Sequence, residues 1–115
     1  MTNLQRLSIE IQGTNFTEQE KEVFLEENGL NADDQYIPSS NINKKNIYKS
    51  ALSMLEALAN NPQLMKDYKQ DDITISQFHE NLMSRIDQLE RKIREIPNDD
   101  LSYQDGASFF YMFSS

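Results

Sequence analysis

The longest stretch of regular hydrophobic spacing runs from Asp72 to Ile96, DITISQFHENLMSRIDQLERKIREI. Phe78, Leu82, Ile86, Leu89, Ile93 and Ile96 follow one another at steps of four, four, three, four and three, which places all six on one stripe of an α-helix. The opposite face is polar. Thr74 and Gln77 have capping-box spacing, Asp71 and Asp72 bring negative charge to the start, and Arg91, Lys92 and Arg94 bring positive charge to the end, before Pro97 stops the helix. At about 1.5 Å per residue such a helix is roughly 33 Å long, the diameter of a small domain, so the other segments are expected to pack along it.

Upstream, residues 4–11 fit two patterns: Leu4, Leu7 and Ile11 make a helical stripe, while Leu7, Ile9 and Ile11 alternate as in a strand. A short helix is the better reading, because a lone strand would leave its backbone unpaired. Gly13 begins a turn. Thr17 and Glu20 then form a capping-box pattern that opens a helix through about Asn28, ended by Gly29, with Val23, Phe24 and Leu30 as its expected buried residues. Glu18, Glu20 and Glu22 crowd its first turns, where the dipole favours them and a solvated helix start explains them. Residues 31–43, NADDQYIPSSNIN, are dense in turn formers and read as a long solvated loop; Asp33 and Asp34 lack the further ligands of a calcium loop.

A helix from about Lys44 to Asn60 places Ile47, Ala51, Met54, Leu55 and Leu58 on one face, and small Ala51, Ala57 and Ala59 permit a close neighbour. Lys44, Lys45 and Lys49 form a small basic patch at its start. Asn61 followed by Pro62 is a cap with proline at the first helical position, predicting a short helix PQLMKDYK that packs Leu64, Met65 and Tyr68. The pattern as a whole predicts an all-α fold, a bundle of about four helices with one long C-terminal helix.

Past Pro97 the chain changes character. NDDLSYQDGAS is polar and turn-rich, and it leads to five large apolar residues, Phe109, Phe110, Tyr111, Met112 and Phe113. Aromatic side chains bury about 150 to 250 Å² each, enough for burial to outweigh the cost of ordering the segment once a site is offered. Two sites are open: the segment folds back on its own long helix, or it serves as an arm that docks into another subunit or another protein. The chain thus divides into a helical domain, 1–97, and an extended docking arm, 98–115.

Composition narrows the chemistry. A chain of 115 residues with 37% hydrophobic content supports one domain with a modest core. With no cysteine there are no disulfides, thiolate nucleophiles or cysteine metal sites, which is compatible with a reducing compartment. MTNLQRLSIEIQ lacks the pattern of a signal peptide, and no run of about 20 apolar residues occurs, so a soluble protein without a membrane partner is expected. Nineteen acids against 11 bases give a formal charge of −8, which opposes tight binding to phosphate backbones. The single histidine, His79, has no nucleophile motif beside it, and no P-loop, dinucleotide glycine pattern or HExxH occurs, so no cofactor and no catalytic residue are expected. Asp71 with Asp72, and Asp99 with Asp100, are paired carboxylates best explained by capping and turn chemistry rather than magnesium binding.

The order of these segments is similar to that of the head-tail connector proteins of long-tailed bacteriophages, also called adaptor or head-completion proteins. The resemblance covers roughly residues 3 to 96. It is carried by the acidic capped helix ending in LEENGL, by KKNIYKSALSMLEALANN, by LMKDYK and by ITISQFHENLMSRIDQLERKI. It implies a small helical structural subunit, not an enzyme, that joins a dodecameric ring of its own copies beneath the portal. Its partners would be the portal protein and a neck or tail-completion protein, with DNA passing through without sequence-specific binding. The resemblance further implies assembly in the host bacterial cytoplasm and a place in the virion, at the head-tail interface. Phe109 to Phe113 would dock on the portal. The stripes Ile47, Ala51, Met54, Leu55, Leu58 and Phe78, Leu82, Ile86, Leu89, Ile93 would form core or subunit contacts. The residues also allow a helical regulatory or antitoxin-like protein that inserts its aromatic tail into a target.

Overall fold

Residues 1–69 and 72–97, the part described by the computed structural model, hold five helices and no strand: α1 (Asn3–Glu10), α2 (Glu18–Glu27), α3 (Asn41–Ala59), α4 (Pro62–Tyr68) and α5 (Ile75–Glu95). The fold is an all-α bundle. Every helix starts on a side-chain oxygen. Thr2 and Thr17 form reciprocal capping boxes with Gln5 and Glu20, and Ser40 accepts from the Asn43 amide. Asn61 accepts from the Gln63 and Leu64 amides, with Pro62 at the first helical position. Thr74 accepts from the Gln77 amide, but the Gln77 side chain bonds Asn81 instead of reaching back. Asp72 lies outside the first turn of α5, which holds no acid.

The ambiguous segment 4–11 is helical. Leu7 and Ile11 are buried and Leu4 is packed against the core, while Ile9, which the strand pattern required on their side, is 47% exposed. In α2 the expectation for Val23 fails: it is 48% exposed and Leu25 is fully buried, with Phe24 and Leu30 partly buried beside it. α2 packs against both α1 and α3, and Leu25 is its buried residue. α3 begins at Asn41, three residues before Lys44, because Ser40 supplies the cap.

The element that the other four all touch is α3, and its broadest interface is with α5. This corrects the expectation that the long C-terminal helix is the scaffold. The stripe on α3 meets the stripe on α5, and Ile47, Ala51, Met54, Leu55 and Leu58 are completely buried. α3 and α5 are antiparallel, since Lys92 near the end of α5 lies over the Tyr48 ring near the start of α3. α2 also runs against α3, with the fully buried Ser50 hydroxyl donating to the Phe24 carbonyl at 3.3 Å and to the Asn46 carbonyl at 2.9 Å.

Segment 31–40 is a loop with most of its residues exposed, as expected, but its backbone is tied as a strap across the start of α1. The first helical amides need acceptors, and the strap supplies them: Asn3 N–H donates to the Asp34 carbonyl at 2.9 Å and Leu4 N–H to that of Ala32 at 3.1 Å. In return Tyr36 N–H donates to the Met1 carbonyl at 2.8 Å. Two buried amides complete the tie. The Asn3 side chain donates to the Asn31 carbonyl, and Asn43 donates to Asn3 Oδ1 at 3.0 Å while accepting from Ile37 N–H at 2.8 Å. Gly29, at φ +79, turns the chain from α2 into the strap.

Asn43→Ala leaves both Asn3 Oδ1 and the Ile37 amide without a partner, each a cost of about 1 to 3 kcal/mol. Urea unfolding is expected to show a loss of about 3 kcal/mol, against a change within about 0.5 kcal/mol for Glu56→Ala on the exposed face of α3.

Candidate functional site

The residues singled out in the sequence separate into three groups. Ile47, Ala51, Met54, Leu55, Leu58, Phe78, Leu82, Ile86 and Leu89 are buried in this chain's own core, and Ile93 is half-buried. Asp33 and Asp34 are exposed on the strap, and His79 is half-buried on α5. The arm residues Phe109, Phe110, Tyr111, Met112 and Phe113 lie outside the described residues, as do Asp71, Asp99 and Asp100.

A groove of about 310 Å³ opens between the α1–α2 turn and the first half of α5. Its floor is apolar, formed by Ile73, Phe78 and Leu82. Its rim is polar: Gln12 and Gly13 on one side, Asn81, Ser84 and Arg85 on the other. Gly13, at φ +92, makes the turn that brings the two sides together, a conformation a Cβ would disfavour.

Arg85 joins these sides. Its guanidinium donates to the Gln12 carbonyl at 2.9 Å and to the Glu10 carbonyl. The Glu10 carbonyl ends α1, where the helix has no N–H to offer it, and the Gln12 carbonyl lies in the turn that follows. Burial pulls the Arg85 guanidinium below its ordinary value, and the Glu10 charge opposes that pull. Sequence spacing places Arg85 beside the α5 stripe but does not show that it caps another helix.

Two further polar clusters fasten the ends of the bundle. Arg6 pairs with Glu10 at 2.9 Å and lies over the rings of Tyr36 and Tyr48, 5.5 and 5.8 Å from their centres. Burial lowers the Arg6 pKa, but the Glu10 hydrogen bond and charge, with Tyr36, outweigh it and hold the group above its ordinary value. At the other end the Tyr68 hydroxyl donates to the Glu20 carboxylate, and Phe16 packs on both Tyr68 and Phe24. That bond holds the Glu20 carboxyl below its ordinary value and Tyr68 above its own. Glu20, read in the sequence only as a cap, therefore also ties α2 to α4.

Among the described residues no group of three or more His, Asp or Glu is placed to hold a metal ion, and no helix is long and apolar enough to cross a membrane. No protein-family model, curated protein or solved structure matches the chain.

Because Glu20 is depressed, its bond to Tyr68 stabilises the fold above the ordinary carboxylate range and is lost as pH falls through the lowered value; the Tyr68 contribution is lost as pH rises through its raised value. Tyr68→Phe is expected to cost about 1 kcal/mol at neutral pH. Thermal melts of variant and parent should begin to converge as pH falls below about 4, where the unfolded-state carboxyl protonates, and meet only below the lowered folded value of Glu20. Arg85→Met keeps the aliphatic packing but strips two carbonyls of their donor, and a loss of about 1 to 3 kcal/mol in urea unfolding is expected.

Proposed function

We propose that this chain is a structural subunit of a bacteriophage head-tail junction: a connector that joins a ring of its own copies beneath the portal, extends the DNA channel and receives the neck or tail. The supporting observation is that the segments carrying the resemblance coincide with the units of the bundle. LEENGL closes α2 at Gly29, SALSMLEALANN holds the half of α3 that carries most of its buried residues and the turn after it, LMKDYK covers most of α4 and its C-cap, and ITISQFHENLMSRIDQLERKI covers the cap of α5 and the helix up to Ile93. The charge of −8 favours the same role, since an acidic lining repeated around a channel lets DNA slide past without gripping it.

The buried state of the two helical stripes constrains how such a ring would form. A ring interface is heterologous, so each copy must offer two different surfaces. Those surfaces have to come from outside the α3–α5 seam: from exposed side chains such as Val23 on α2, Ile9 on α1 and Met83 on α5, and from the arm. Under this reading Phe109 to Phe113 anchor the subunit to the portal and the helical domain meets its neighbours in the ring. The protein acts by position, with no catalytic step.

Deleting residues 107–115 is expected to abolish co-sedimentation with the portal protein of the same virus while leaving the far-ultraviolet helical signal intact. Full-length chain mixed with that portal should give ring-sized particles by light scattering and electron microscopy. Portal binding by the truncated chain equal to that of the full chain would contradict the assignment. So would a discrete one-to-one complex with a small target protein and no association with the portal, the behaviour of a tail-inserting inhibitor.

A further inference from the structure

We propose that two copies of this chain dock face to face, the outer face of α2 on one copy against the strap end of α3 on the next. Of the six half-exposed large hydrophobic side chains among the described residues, three gather where the strap meets α3. Met1 and Ile37 are held there by the Tyr36–Met1 and Ile37–Asn43 hydrogen bonds, and Ile42 stands in the first turn of α3. Ile42, Lys45 and Lys49 follow at steps of three and four, so one stripe on the side away from the core runs from apolar to basic. The face of α2 is its counterpart. Gln19, Glu22, Val23 and Glu26 are all exposed and line one side of that helix, with Glu27 next to them and no basic residue in the group. These charges do not satisfy each other within one chain: the side chains of Glu22, Glu26, Lys45 and Lys49 form no ion pair and no hydrogen bond among the described residues.

The charge of the whole molecule makes the pairing selective. At −8, two copies repel one another in most orientations, and like charges brought face to face are costly. Arg6, Arg85, Arg91 and Lys92 are already engaged with groups of their own chain. Lys44, Lys45 and Lys49 fall within six residues, so the start of α3 is where an acidic copy is attracted rather than repelled. The outer face of α2 meets that need, because it places Val23 among acids and so matches apolar side chain to apolar side chain as well as charge to charge. Four half-exposed apolar side chains make a small interface, so the contact is weak between two copies and gains strength by repetition. The two faces differ, as a heterologous contact requires. As the contact between ring neighbours it rests on the head-tail reading; as a contact between copies it does not.

Charge reversal tests the contact, read by sedimentation equilibrium of the full chain in about 0.1 M salt, where charges more than about 10 Å apart are screened. The parent is expected to associate beyond the monomer at submillimolar concentration. Lys45→Glu with Lys49→Glu, and separately Glu22→Lys with Glu26→Lys, should each weaken that association about tenfold while the far-ultraviolet helical signal stays constant. An equimolar mixture of the two variants should recover it, since each then meets a face of opposite sign. The second variant halves the formal charge of −8, so general repulsion alone would make it associate more strongly than the parent, not less. A parent that stays monomeric throughout would overturn the proposal. Reversed variants that associate as the parent does, or a mixture that recovers nothing, would overturn it too. Such failures leave the head-tail reading standing, because a portal can template a ring from copies that do not meet in solution, and portal binding by the truncated chain would leave this contact standing.

Discussion

The structure depends on one helix having enough buried surface for four neighbours. A chain with 37% hydrophobic content cannot give each helix its own partner, and α3 meets the shortage by burying Ile47, Ala51, Met54, Leu55 and Leu58 completely against elements on several sides. Ser50 shows how tightly this is drawn. Its hydroxyl sits fully buried between α2 and α3, and it is tolerated because it donates back to Asn46 and across to Phe24. Truncating a large residue on this face removes contacts to more than one helix at once, so such changes act on the whole bundle rather than on one interface.

The remaining elements are held by polar ties at helix ends, where apolar area is scarce. The strap 31–40 gives acceptors to the Asn3 and Leu4 amides of α1, the Thr2 hydroxyl accepts from the next amide, that of Gln5, and Arg85 donates to the Glu10 carbonyl at the helix end and to Gln12 in the turn beyond. Thus an eight-residue helix, too short to persist alone, is completed at both ends by distant parts of the chain. The Asn3–Asn43 pair does this with two buried amides, each donating one hydrogen bond and accepting another, which makes the tie specific as well as stabilising.

Most of the helices were legible in the sequence because their signals are local. Stepwise apolar spacing in α3 and α5, the Thr17–Glu20 box, and Asn61 before Pro62 each depend on residues within a turn or two of one another. What periodicity does not carry is which face meets which partner. It placed Val23 inside and passed over Leu25, took the longest helix for the scaffold, and did not show the strap's backbone tie, because turn-forming residues look the same whether water or the first amides of α1 donate to their carbonyls. The groove was illegible for the same reason: Gln12 and Arg85 are 73 residues apart and meet only through the fold.

The central structural claim is that α3, not the longer α5, is the element on which the bundle's stability rests. Native-state hydrogen exchange tests it most directly, because amides that open only in global unfolding mark the most stable unit. The slowest exchange is expected in the middle of α3, around Ala51 to Leu55, with the Asn3, Leu4 and Tyr36 amides of the strap tie well above the protection of an open loop. Slowest exchange confined to α5, with α3 opening before it, would contradict the account.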